Sequence, residues 1–215
     1  MDEARLYGSI RDIVAGATAG EFPALALEDL LLTAFSRRSR LLRNIFDWGP
    51  DRYSEAERGS HETPTHFKWN LADLTAHGNR PVRVWLHQYR PPGELRPLYA
   101  QVPHNHRYPF VSIILNGGYR NDSYRPLENV LNPPQEAPEP PRSRTLRPGD
   151  VLTMHPLEVH RLADIQRETL TLLVQGAAVT DRSFSFREST ATWIAHRDMR
   201  AQFRTLRGID VGAAD

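Results

Sequence analysis

Residues 103–119 read PHNHRYPFVSIILNGGY. His104 and His106 stand two apart at the end of a predicted strand over 98–106. A strand alternates its side chains, so both imidazoles point to one face. The apolar run 110–116 follows as a second strand, and Gly117-Gly118 turns the chain into a third over 119–124. A related pattern returns at residues 147–162, RPGDVLTMHPLEVHRL. There Pro148-Gly149-Asp150 forms a turn, 151–155 a strand, and His160 opens another strand over 159–165. Two imidazoles side by side on an inward face can share one metal ion, and His160 is the best-placed third ligand.

Outward from this centre, further strands are expected over 82–89, 143–146, 170–175 and 183–187. Val82, Trp85 and Tyr89 carry the β signal of the first of these. Residues 126–141 hold six prolines in sixteen residues and read as a long loop. Many short strands divided by turn signals point to a barrel or sandwich. The first fifty residues have helical spacing instead. Leu6, Ile10, Ile13, Val14 and Ala17 form one stripe, stopped by Gly20. Residues from Leu27 to Ile45 form a second stripe, ended by Gly49-Pro50, and read as a packing or dimer surface. Residues 51–80 read as irregular with one short helix, and 191–206 as a segment ending in a helix.

The two histidine-bearing motifs resemble those of the cupin superfamily, whose first motif carries His-x-His and whose second carries a turn and then a histidine. The resemblance covers residues 80–190. It implies a mainly β chain, a jelly-roll-like double-stranded β-barrel with an N-terminal helical extension. On that reading 1–79 is the helical extension packed on the barrel, 80–195 the barrel, and 196–215 a C-terminal helix and tail. One departure stands out: the position where cupins carry an acidic ligand falls at Phe110, and phenylalanine cannot ligate a metal. The resemblance therefore implies a three-histidine site of His104, His106 and His160. Three neutral imidazoles leave a divalent ion its full charge and open positions. Three-histidine cupin sites are associated with iron-dependent dioxygenases of small molecules, so Fe(II) is the favoured ion, with Zn(II) as the alternative. The favoured function is a non-haem iron oxygenase. The alternatives are a non-redox zinc enzyme (isomerase, lyase or rearrangement) and a non-catalytic small-ligand-binding cupin.

Several neighbours are candidates for the substrate pocket. Trp85, His87 and Tyr89 share one face of their strand; they line the pocket if that face looks inward and otherwise pack beneath the helices. Tyr108 and Ser112 continue the face of His106, and Phe110 helps to keep the site dry. Gln175 is a polar residue in an apolar strand, suited to bonding substrate or to a barrel exterior. His155 is either a further ligand or a strand-end histidine capped by Pro156. His61, His66, His77 and His196 read as solvated loop residues.

Composition narrows the function classes. A 215-residue chain that is 40% hydrophobic and 25% charged, with a formal charge of +1, offers no global attraction to nucleic acid or anionic membrane. Arg37, Arg38 and Arg40 form a solvated face rather than a nucleic-acid site. No apolar run approaches the roughly 20 residues that span a bilayer, and MDEARLYGSI does not read as a secretory signal. The absence of cysteine removes disulfides, thiolate ligands and a Cys nucleophile. A cytoplasmic protein fits best. Lys68 is the sole lysine, which argues against Schiff-base chemistry. No phosphate-binding or dinucleotide-binding glycine pattern or nucleophile elbow is present. The expected partner is a small-molecule substrate, with no organic cofactor, and the resemblance allows a homodimer through barrel edges.

Overall fold

The computed structural model describes residues 2–18, 20–63, 65–76, 80–90, 101–129, 132, 137–139 and 141–197. Four helices come first: α1 (Glu3–Gly16), α2 (Ala24–Phe35), α3 (Arg38–Phe46) and α4 (Pro50–Gly59). Asp2 caps α1 by accepting a 2.9 Å bond from the Arg5 backbone N–H. The stripe from Leu27 to Ile45 is divided between α2 and α3. At Ser36 the side chain turns back to donate to the Thr33 carbonyl (2.7 Å), and Arg37 leaves the helical region.

Among the described residues eleven strands follow: β1 (His61–Glu62), β2 (His66–Ala76), β3 (Arg80–Tyr89), β4 (Phe110–Asn116), β5 (Tyr119–Ser123), β6 (Arg142–Leu146), β7 (Val151–Met154), β8 (His160–Ala163), β9 (Leu170–Gln175), β10 (Arg182–Arg187) and β11 (Thr192–Arg197). The chain is mainly β with N-terminal helices, as expected. One antiparallel sheet runs β1-β2-β3-β9-β4-β7. The second is made of β6-β5-β8 and β10-β11, joined through the backbone of His104, which bridges both His160 and Ser185. No continuous ring of hydrogen bonds closes the sheets into a barrel among the described residues.

The first sheet is covered on both faces. Val82, Val84 and Leu86 of β3, Val111, Ile113 and Leu115 of β4, and Leu172 and Val174 of β9 pack against Leu6, Ile10, Leu27 and Leu31 of the helices. The helical stripes are thus spent on packing. The alternate residues of the same strands face the second sheet. Burial on both faces explains why β4 reads as a nearly unbroken apolar run instead of an alternating one.

Three expectations are corrected. His61–Glu62 and His66–Ala76 are strands, not irregular: β2 carries polar residues on its inner face and has a register shift between Asn70 and Ala72, which erases a clean period of two. Among 101–106 no strand forms; only His104 makes isolated bridges, because Pro103 and Pro109 cannot donate to a ladder. Residues 192–197 form β11, a strand not expected there, while 198–215, and with them the expected C-terminal helix, lie outside the described residues, as do 98–100 and His77. Among the described residues no helix is long and apolar enough to cross a membrane.

Candidate metal centre

The segment 103–106 is irregular but tightly held. Asn105, fully buried, donates from Nδ2 to the Pro156 carbonyl (2.8 Å) and accepts from the Phe184 N–H (2.6 Å). On either side the backbone is pinned: His104 N–H donates to the His160 carbonyl (2.8 Å), His160 N–H to the His104 carbonyl (2.9 Å), and Phe186 N–H to the Pro103 carbonyl (2.8 Å). With Asn105 directed away, its two histidine neighbours face the space between the sheets. The bond network therefore performs the task that strand alternation was expected to perform.

His104, His106 and His160 each offer a ring nitrogen within 4.8 Å of the others. Hydrogen bonds assign the protons on two of the rings. His104 Nδ1 donates to the Val102 carbonyl (2.8 Å) and His160 Nδ1 to Asn121 Oδ1 (2.8 Å), since a carbonyl oxygen only accepts. Asn121 is itself oriented by its Nδ2 bond to Ser123 Oγ (2.9 Å). His104 and His160 are thereby left with a lone pair on Nε2. His106 Nε2 lies 3.0 Å from His160 Nε2. At the metal–nitrogen length of roughly 2.0–2.1 Å, adjacent ligand nitrogens stand about 3.0–3.4 Å apart, so the spacing fits a shared ion. One proton on His106 could satisfy only one of the facing lone pairs, whereas a cation satisfies the set.

Burial holds these rings neutral. It pushes the imidazoles of His106 and His160 well below the usual histidine range, helped by neighbouring histidines, and brings His104 down to about 4. Neutral imidazole is the form that binds a metal. Phe110 stands edge-on to His106, with ring centroids 5.0 Å apart, and contributes an apolar wall where an acid would add charge.

A cavity of about 310 Å³ opens beside the triad. Of the pocket candidates, His87, Tyr89, Tyr108, Phe110 and Ser112 line it. Trp85, Gln175 and His155 do not. Trp85 Nε1 donates to Gln175 Oε1 (2.9 Å), so this pair is satisfied internally beyond the cavity wall. His155 is exposed, at a surface turn where its N–H donates to Glu158 Oε2 (2.5 Å). It is therefore neither a ligand nor a pocket residue in this arrangement.

Three of the histidines read as solvated prove different. His61, His66 and His196 all line the cavity, so it gathers seven of the nine histidines. The sole lysine, Lys68, lines it too, despite its dismissal on composition. These residues were missed because β1, β2 and β11 were not recognised as strands. The one usable signal was His66 and Lys68 at alternate positions, a period of two in polar residues.

Asn121 supports the triad from behind. Its replacement by alanine should weaken metal affinity roughly 10–100-fold by freeing the His160 ring, with little change in fold. Competition with a chromophoric chelator measures this, and unchanged affinity would show that the bond to His160 is dispensable.

No protein-family model matches the chain, and no curated relative does. Solved structures similar to it include KdgF from Halomonas sp., at 11% identity and TM-score 0.36, covering 54% of this chain and 85% of that one. Oxalate decarboxylase from Bacillus subtilis is similar at 10% identity and TM-score 0.42, covering 73% of this chain and 35% of that one. Ectoine synthase from P. lautus is similar at 11% identity and TM-score 0.36, covering 60% and 77% respectively. The chain thus spans about a third of the oxalate decarboxylase. All three likenesses lie below 25% identity and below a TM-score of 0.5.

Proposed function

We propose that the chain is a mononuclear metal-dependent enzyme acting on a small organic substrate, and within that class a non-haem iron oxygenase. The observation that carries the metal reading is the convergence of the three imidazoles, with the 3.0 Å approach of His106 Nε2 to His160 Nε2 and the outer nitrogens of His104 and His160 tied to carbonyl oxygens. His104, His106 and His160 would hold the ion. A bound divalent ion supplies Lewis acidity and open coordination positions, and iron adds redox chemistry with dioxygen. The oxygenase reading is supported by the all-nitrogen, uncharged donor set, in which Phe110 replaces an anionic ligand.

The protein's own residues supply position and shelter. Asn105 fixes the spacing of His104 and His106, while Val102 and Asn121 fix ring orientation. Phe110, Leu152, Leu162 and Leu173 present apolar surface to the cavity and limit water around the reacting groups. Ser112, whose hydroxyl donates to the Leu152 carbonyl (3.4 Å), and Tyr119 line the same wall, where they can orient a polar substrate group.

Elemental analysis of protein purified without chelators tests the proposal. About one equivalent of iron per chain is expected on the three-ligand site, together with dioxygen uptake in the presence of substrate. Zinc retained at that stoichiometry, with turnover undiminished in an anaerobic chamber, would replace the oxygenase by a non-redox reaction. Protein that takes up no divalent metal would overturn the metal reading altogether.

A further inference from the structure

Lys68 faces the cavity from the first sheet, directly across the β2–β3 pair from His87. It is only 9% exposed. Its Nζ lies 4.5 Å from the centre of the Trp85 ring, which is held in place by Gln175. Among the described residues no carboxylate pairs with Lys68, and no aspartate or glutamate lines the cavity. An aromatic face offsets part of the cost of burying an ammonium, but not the loss of a counter-charge. His87 is also buried, and its Nε2 has no hydrogen-bond partner. His66 Nε2 is likewise unpartnered, on a ring stacked against His87 at 4.4 Å. A buried cation and two orphaned ring nitrogens on one wall form a set of polar groups that the protein itself leaves unsatisfied.

We infer that the cavity selects a small organic anion, a carboxylate that pairs with Lys68 and reaches the Nε2 atoms of His66 and His87 while the rest of the molecule extends toward the three-histidine centre. The second half of this statement rests on the proposed metal site, and the first half does not. Charge supports the assignment: Lys68 carries an uncompensated positive charge, and a divalent ion on three neutral ligands would add two more. A buried charge-assisted bond of this kind discriminates between a carboxylate and its neutral isostere.

Calorimetric titration with benzoate, benzamide and phenyl phosphate tests the inference, on metal-loaded and on chelator-stripped protein, with metal content measured on the same samples. Benzoate should bind more tightly than benzamide by roughly 10–100-fold, in stripped protein as well as loaded. Lys68→Met should abolish that preference with metal content unchanged, while Lys68→Arg keeps most of it. Equal affinity of the stripped wild type for benzoate and benzamide would overturn the inference, and this comparison does not depend on any variant folding. Tighter binding of phenyl phosphate than of benzoate would overturn the carboxylate assignment. A preference for benzoate in protein that takes up no metal would uphold the Lys68 subsite and sink the metal reading.

Discussion

His160→Ala should leave a folded protein that no longer retains metal. The ion stoichiometry is expected to fall from about one per chain to below a tenth, because two imidazoles bind a divalent ion far more weakly than three. The substitution spares the fold for a specific reason. The backbone of residue 160 exchanges two hydrogen bonds with His104, and alanine keeps both. What is lost is one Nε2 and the partner of Asn121 Oδ1, which leaves a small polar cavity that water can enter. Elemental analysis and the circular dichroism spectrum, taken together, decide the outcome. A variant with native spectrum and full metal content would remove His160 from the site. His155→Ala is the matched control, since this exposed residue lies away from the cavity and should leave the stoichiometry unchanged.

The metal-free protein should be acutely sensitive to mild acid. His66, His87, His104, His106 and His160 are all held below the ordinary histidine range by burial, reinforced by mutual repulsion for most of them and by Lys68 for three. In the unfolded chain each returns to about 6.5. Between that value and the lowered folded values the unfolded state binds more protons, so stability is fully present above pH 6.5 and falls as the pH is lowered. For His104 the loss continues down to about 4. Each such histidine contributes a slope of up to about 1.4 kcal/mol per pH unit. Acting together, the five make the loss steep against the small net stability of a typical domain. Urea unfolding of chelator-treated protein at steps from pH 7.5 to 5 should show a steep monotonic loss. A flat profile would mean that the histidines are not held neutral in the folded state. Bound metal should shift the loss to lower pH, because the ion competes with protons for the same nitrogens.

What could be read from the sequence is the chemistry concentrated in short segments. The His104–His106 spacing, the turn at Pro148-Gly149-Asp150, the histidine at 160 and the phenylalanine at 110 are local features. Local turn and strand rules suffice to bring them into view. The strands β3 to β10 were legible for the same reason, as strand-favouring runs between turn residues. The helical stripes were legible from their period.

The remainder required the tertiary structure. The His-x-His pair faces inward because Asn105 bonds to Pro156 and Phe184, which lie 51 and 79 residues away in sequence, not because a strand alternates. Trp85 and Gln175 satisfy each other across 90 residues and so leave the pocket wall to their neighbours. Lys68, His66 and His61 enter the cavity on β1 and β2, strands whose polar inner face and register shift hide their periodicity. A polar side chain in a strand reads as solvent-facing unless a second sheet covers it, and that covering is a long-range contact. The sequence by itself determined the three histidines and the absence of an acid at Phe110; the packing of the two sheets decided which other polar groups share their cavity.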